Sequence, residues 1–261
     1  MASRPVRSTP LAAFVLHRYD WSESSLVLDL FSRDQGRIAV VARGAKRPFS
    51  QLRSVLLPFQ RLAVSLARAP NGEETREIHN LRGADWAGGA PMLTGAALFS
   101  GFYLNELLLR LLARHDPHPA LFDAYAMTLL SLGAARDDDA AAQAALRAFE
   151  LTLLKEIGLL PDLHIETPSR QPVDPARRYV VLADAGVVEA KNVDSESGLS
   201  GAALVALQDA LEGDGLPALQ QAAGRSLAQL RPLLRAQLHY HLGSDQLRTR
   251  RVMLDAQALE R

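Results

Sequence analysis

Polar and apolar positions change rhythm near residue 90. Up to that point short stretches alternate with period two; beyond it apolar residues return every three or four positions. The alternating stretches predict five strands: Ala13 to Tyr19, Ser25 to Phe31, Gly36 to Ala42, Phe59 to Ala67, and Thr75 to Leu81. In the second, Leu26, Leu28 and Leu30 share one face and Val27, Asp29 and Phe31 the other. In the fourth, Gln60, Leu62, Val64 and Leu66 oppose Arg61, Ala63 and Ser65. Turn residues punctuate the series: DWSES after the first strand, Asp34-Gln35-Gly36 after the second, and Pro70-Asn71-Gly72 before the fifth. Five short strands with one long connection, after the third, predict a small closed barrel. An OB-fold is the natural candidate; a five-stranded SH3-like barrel has the same spacing.

The second part reads as helices. Leu98, Phe102, Leu107, Leu108, Leu111 and Leu112 make a wide apolar face within 92–114. A helix is expected from Ala120 to Leu132, ending at Gly133. Asp137, Asp138 and Asp139 precede a third, with Leu146, Phe149, Leu153 and Ile157 on one stripe and Gly158 at its stop. Prolines at 161, 168, 172 and 175 mark a loop, and RYVVLADAGVVEA predicts a hairpin about Ala185-Gly186. A helix follows from Ser200 to Leu211, then one or two from Pro217 to Leu242, with Pro232 a kink or boundary. The expected class is α+β: a five-stranded OB-fold barrel over residues 1–88, then a mainly helical domain over 89–261 with a loop and β-hairpin insertion at about 160–192.

Composition narrows the chemistry. The 261 residues contain no cysteine, which excludes disulfides, cysteine-ligated zinc and thiol catalysis, and fits a reducing cytoplasm. The apolar run near the N-terminus is broken by His17 and Arg18, so no secretory signal is expected, and no run approaches the ~20 apolar residues of a membrane span. The net charge of zero hides segregation: residues 1–90 hold 13 Lys and Arg against 8 Asp and Glu, whereas residues 91–200 hold 9 against 15. The basic excess is focused between Arg37 and Arg53. Arg43, Lys46, Arg47 and Arg53 follow the third strand with no acid among them, and Gly44 and Pro48 keep the stretch irregular. An all-positive loop on the edge of a β-module suits a polyanion, DNA or RNA first. The aromatics nearby are few: Phe49 and Phe59 in the loop region, Tyr19 and Trp21 at the first turn. That balance favours contact with the phosphate backbone over reading of bases, hence weak sequence preference and strong salt dependence.

Other constellations are weaker. His115 and His118, and His239 and His241, lack the spacing and further ligands of a metal site, even with Asp116 and Asp123 nearby. The three aspartates at 137–139 read as a cap rather than a magnesium site. Glu106 and Glu150 lie on apolar helices, where each is expected to pair with an arginine: Arg110 for Glu106, Arg147 for Glu150. His17, Asp20, Ser24 and Ser25 do not make a triad, and no nucleophile elbow, Walker A or dinucleotide motif is present. No enzyme is expected; a nuclease would need carboxylates clustered at the basic loop.

Five segments carry a resemblance to a known family: AFVLHRYDWSESSLVLDLFSRDQGRIAVVARGAKR at 13–47, LLPFQ at 56–60, LFSGFYLNELLLRLL at 98–112, ALRAFELTLLKEIG at 145–158, and LRPLLRAQLHYHLGSDQLRTRR at 230–251. The run from Tyr103 to Leu107 and the pair Phe149-Glu150 are the more specific parts. In these residues the chain resembles the bacterial DNA repair and recombination mediator family RecO. The resemblance implies an N-terminal OB-fold, a helical body and no bond chemistry. It implies binding to single- and double-stranded DNA, annealing of complementary strands, and docking of the C-terminal tail of single-stranded-DNA-binding protein (SSB). With RecR as partner, it implies help in loading RecA onto SSB-coated strands, with RecF a further candidate link. It also implies a cytoplasmic, nucleoid-associated protein and no membrane partner. Many members carry two cysteine pairs as a zinc module; here PDLHIETPSRQPVDPARRYVVL has none, so no zinc or other cofactor is expected and the subdomain persists as the hairpin at 179–190. The DNA-binding candidates are Arg37, Arg43, Lys46, Arg47 and Arg53, with Arg248, Arg250 and Arg251 as outriggers. The resemblance makes Arg147 the candidate for the SSB tail, with Ala148 where relatives can have a second basic residue. The rival reading is an OB-fold protein–protein adaptor without direct DNA binding.

Overall fold

The computed structural model describes residues 9–67, 77–89, 91–135, 138–190, 198–243, 247–249 and 251–252. Packing divides the chain into two compact units. The first runs to Leu93 and also takes in Leu104–Ala126; the second holds Thr94–Tyr103 and the chain from Met127 onward.

The first unit is built on β1 (Leu11–Asp20), β2 (Leu26–Ser32), β3 (Gly36–Ala42), β4 (Gln60–Leu66) and β5 (Ile78–Gly89), with a single turn of helix, α1 (Leu52–Val55), in the long β3–β4 connection. The strands close a barrel in the order β1-β2-β3-β5-β4. Neighbours are antiparallel except β3 and β5, which pair in parallel through Ala39–Val41 and Ile78–Asn80; Leu11–Phe14 against Arg61–Val64 completes the ring. This order is that of the OB-fold, and it decides between the two barrels that strand spacing allowed. The period-two pattern sets the register, because a one-residue slip would turn every apolar side chain outward. Leu28, Leu30, Ile38, Val40, Leu62 and Val64 fill the interior with no accessible surface.

The outer face of β1 and β2 is buried as well. Phe14 and Phe31 pack against Phe122 and Tyr125, with ring centroids 5.0–6.2 Å apart. Burial on both sides explains why these strands read as nearly continuous apolar runs. The register shifts between Val15 and His17, a bulge that leaves the Leu16 carbonyl outside the ladder. Asn105 Nδ2 donates to that carbonyl at 2.9 Å, and Tyr125 Oη donates to Asn105 Oδ1 at 2.5 Å. Gly36 turns the chain into β3 at φ +65°, with the Asp116 carbonyl oxygen 2.0 Å from where a Cβ would lie, so only glycine fits.

Three sequence expectations change here. The fifth strand begins at Ile78 and runs to Gly89 instead of ending at Leu81; residues 75–76, with the turn signal at 70–72, lie outside the described residues. Its glycine-rich second half alternates poorly and is held by pairing with β4. Phe59 is a buried residue at φ +66° ahead of β4. Gly133 does not stop its helix, which continues to Ala135.

Helices α2 (Gly95–Leu111) and α3 (Pro119–Ala135) contribute to both units. The second unit is centred on α4 (Asp139–Glu156), whose N-terminus is capped by Asp138 accepting from Ala141 N at 3.0 Å; Asp137 is outside the described residues. Buried Leu146, Phe149, Leu153 and Leu154 mark its core face. The insertion after it holds β6 (Ile165–Glu166) paired with β7 (Gln171–Pro172), then β8 (Arg178–Leu182) and β9 (Gly186–Glu189), which form the expected hairpin. A further short strand, β10 (Leu199–Ser200), extends it to three strands. Val173, Tyr179, Val181, Val187 and Leu199 are buried within it. Arg177 bridges Glu189 at 3.1 Å and Asp174 at 3.3 Å. Then come α5 (Gly201–Asp209), a π-helical turn (Ala210–Asp214), α6 (Gly215–Gly224) and α7 (Leu227–Leu242). Pro232 lies inside α7, and the break between helices falls at Arg225–Ser226. Among the described residues no helix is long and apolar enough to cross a membrane.

Candidate nucleic-acid interface

The connection after β3 is irregular in outline yet fixed at its base. Ala45 is wholly buried in the barrel core, and Lys46 N donates to Ser24 O of the β1–β2 turn at 3.0 Å. Gly44 at φ +71° lets the chain reverse, Arg47 N returns to Gly44 O at 3.1 Å, and Ser50 N to Arg47 O at 3.0 Å. With the small apolar residue anchored inside, the arginines of the loop turn toward solvent. Arg43, Arg47 and Arg53 are exposed. Lys46 is half-buried, its ammonium 3.1 Å from Asp20 Oδ1. Beside the loop lies a concavity of about 500 Å³, into which Arg18, Lys46 and Arg53 bring positive charge and Asp20 and Glu23 negative. Arg18, which donates to Leu56 O at 3.3 Å, was not singled out by the sequence, because nothing local marks a strand-end arginine.

Arg37 does not join this surface. Its side chain is 16% accessible and turns inward to Asp29, 3.7 Å away; it donates to the carbonyls of Leu109 and, at 3.0 Å, Leu112. Arg114 lies on the same buried carboxylate at 3.0 Å. Arg37 and Arg114 thus compensate a charge that would be costly alone. Of the outriggers, Arg248 and Arg251 are exposed residues of the second unit, and Arg250 is outside the described residues.

The other candidate, Arg147, stands in a second site. Between α2, α4 and α7 a cleft of about 160 Å³ has apolar walls from Phe99, Leu146 and Leu238, with Arg147, Arg231 and Arg235 around them. Arg147 Nη2 is 2.8 Å from Glu150 Oε1, the i+3 pairing its spacing predicted, and Tyr103 Oη donates to the same oxygen at 2.6 Å. Glu150 has no accessible surface. Burial pushes its carboxyl above the usual range, against the pull of Arg147 and the Tyr103 hydrogen bond; burial beside Glu150 holds the Tyr103 phenol well above its ordinary value. The Tyr103 run and the Phe149-Glu150 pair, separate in sequence, therefore meet through one hydrogen bond. Arg231, Arg235 and His239, all lining the cleft, follow one another at intervals of four along α7. That spacing was visible in the sequence and would have found them. An apolar floor with three guanidiniums suits a short peptide that is both acidic and apolar.

The remaining candidates are dispersed. Glu106 pairs with Arg110 at 3.9 Å. His118 faces Asp116 at 3.3 Å, and Asp123 is held by Arg33 at 2.7 Å, which lowers its carboxyl. His17 stacks edge-on against Tyr19. Among the described residues no three of His, Asp or Glu gather to hold a metal ion.

Comparison with known proteins gives concordant matches over both units. The family model described as "Recombination protein O N terminal" matches residues 8–87, and that described as "Recombination protein O C terminal" matches residues 92–251. The DNA repair protein RecO of Polaromonas naphthalenivorans (strain CJ2) is 53% identical over 260 residues, covering 99% of this chain and 100% of its own. That of Polaromonas sp. (strain JS666 / ATCC BAA-500) is 50% identical over 260 residues with the same coverage, and that of Variovorax paradoxus (strain S110) 50% over 258 residues, covering 95% and 96%.

Proposed function

Because this chain belongs to the RecO family of DNA repair proteins, we propose that it mediates recombinational repair by binding DNA, without catalysing bond chemistry. Complementary strands repel each other through their phosphates. Cations held on a fixed loop release counterions from one strand and lower the barrier to the approach of the second. Arg43, Lys46, Arg47 and Arg53, with Arg18 beside them, are the residues we assign to this role; Arg248, Arg250 and Arg251 extend it. On this reading the protein binds single and double strands and anneals complementary ones. The cleft lined by Arg147, Arg231 and Arg235 takes the acidic, apolar tail of SSB. Docking there brings the barrel to coated strands, where, with RecR, it helps RecA to load, with RecF a further link. The site of action is the nucleoid, in the cytoplasm.

The observation that carries the reading is the loop: three exposed arginines around an anchored base, next to a concavity on an OB barrel. Annealing of labelled complementary strands tests it. Replacing Arg43, Lys46 and Arg47 together by glutamate is expected to abolish annealing and weaken strand binding with the fold intact. Unchanged affinity at moderate salt removes the loop from the mechanism and restores the adaptor reading.

A further inference from the structure

The basic loop and the β1–β2 turn each carry an aromatic side chain that the barrel does not use. Phe49 is 99% exposed and Trp21 68%. Phe49 sits at the apex of a turn closed by Ser50 N donating to Arg47 O at 3.0 Å, with Pro48 at the position where its fixed φ favours such a turn. A turn so built holds its third residue outward. Trp21 leaves the β1–β2 turn, where its amide donates to Ser25 O at 3.3 Å; the same turn receives Lys46 N on Ser24 O at 3.0 Å. The two aromatics therefore project from loops tied to each other, and the loop that bears Phe49 also bears Arg43, Lys46 and Arg47. Phe59, the other aromatic of this stretch, is 4% exposed and belongs to the core.

We propose that Phe49 and Trp21 stack against unpaired nucleobases, so that this loop distinguishes single strands from duplex. The inference rests on the DNA-binding reading and adds to its phosphate contacts a contact that only exposed bases make. Aromatic faces interleaved with cations match a chain in which planar bases alternate with phosphates. A duplex offers the cations its backbone but keeps its base faces stacked inside. An apolar protein partner would have to strip water from the arginines flanking Phe49, which gives it no advantage over a base. The acids on this side are Asp20, already held by Lys46, and the exposed Glu23. Phosphate contact is therefore assigned to Arg43 and Arg47, which are exposed.

The test compares a labelled oligo-dT, a strand of equal length with abasic residues at its centre, and a duplex. Wild type is expected to bind oligo-dT more tightly than the abasic strand, by roughly five- to a hundredfold for each stacked base. The Trp21→Ala/Phe49→Ala protein should bind the two strands equally, with duplex affinity and salt slope retained. As a second readout, in a Trp86→Phe background Trp21 is the one remaining tryptophan, and its fluorescence should be quenched by oligo-dT and not by the abasic strand. A double variant that keeps the wild-type preference for oligo-dT overturns the inference, as does a wild type that binds both strands equally while still responding to arginine replacement. Those two results leave the DNA-binding reading standing. Failure of that reading is recognised separately, by arginine replacement that alters binding to none of the three probes.

Discussion

Replacing Arg43, Arg47 and Arg53 together by glutamine should change the salt dependence of single-strand binding more clearly than any one affinity. Each phosphate contact made to a single strand adds about 0.7 to the slope of log affinity against log salt. Three lost contacts therefore flatten that slope by about 2. Between 50 and 200 mM salt, a fourfold change, wild type should lose on the order of twentyfold more affinity than the variant. All three side chains are exposed, so stability should move by no more than about 0.5 kcal/mol, and urea denaturation checks that the barrel is intact. The assay is fluorescence anisotropy with a labelled single strand across a salt series. Parallel lines for the two proteins, displaced or not, would refute the assignment of these arginines to phosphate contact.

Asp20→Asn should strengthen strand binding and steepen the salt slope by about 0.7, because it releases Lys46 from its 3.1 Å pairing; the same salt series reads it. Arg147→Glu should weaken binding of a synthetic SSB-tail peptide tenfold or more, the order expected for a charge-assisted contact, while naked-strand affinity holds; equal loss of both would dissolve the separate site. Asn105→Ala should cost about 2–4 kcal/mol in urea denaturation, since the Leu16 carbonyl and the Tyr125 hydroxyl both lose their buried partner. Glu150 gives a pH signature. Its folded-state pKa is raised by burial, so the folded protein holds this proton more tightly than the unfolded chain. Wild-type stability should then fall relative to Glu150→Gln as pH rises from the ordinary carboxylate range through the raised value, and level off above it; melting temperatures of the two proteins across that range measure the difference.

The barrel strands were legible because burial writes itself as alternation, and the side chains filling the interior are the alternate residues of β2, β3 and β4. The strand order was less so, since it depends on β3 meeting β5 in parallel across a long connection. Arg37 shows why site residues are harder. At its position in the strand a basic side chain reads as solvent-facing. It is instead covered by residues near Leu109 and Leu112, more than seventy positions away, and its charge answers the buried Asp29. Local pattern cannot report a partner that distant. Arg43, Arg47 and Arg53 were found because they are exposed and, among the described residues, no long-range ion pair claims them. Asn105 and Glu150 illustrate the middle case: their runs stood out as specific, yet the reasons, a bulge carbonyl and a tyrosine hydroxyl, come from chain segments brought together by the fold. The insertion, which contains no cysteine, holds its hairpin because Tyr179, Val181 and Val187 are buried in a small sheet.

Annealing of complementary strands, measured naked and then coated with SSB, tests the central claim most directly. Wild type should anneal both. The Arg43/Lys46/Arg47 charge reversal should abolish both, and Arg147→Glu should spare naked strands while losing the coated ones. Annealing that survives charge reversal of the loop would contradict the account.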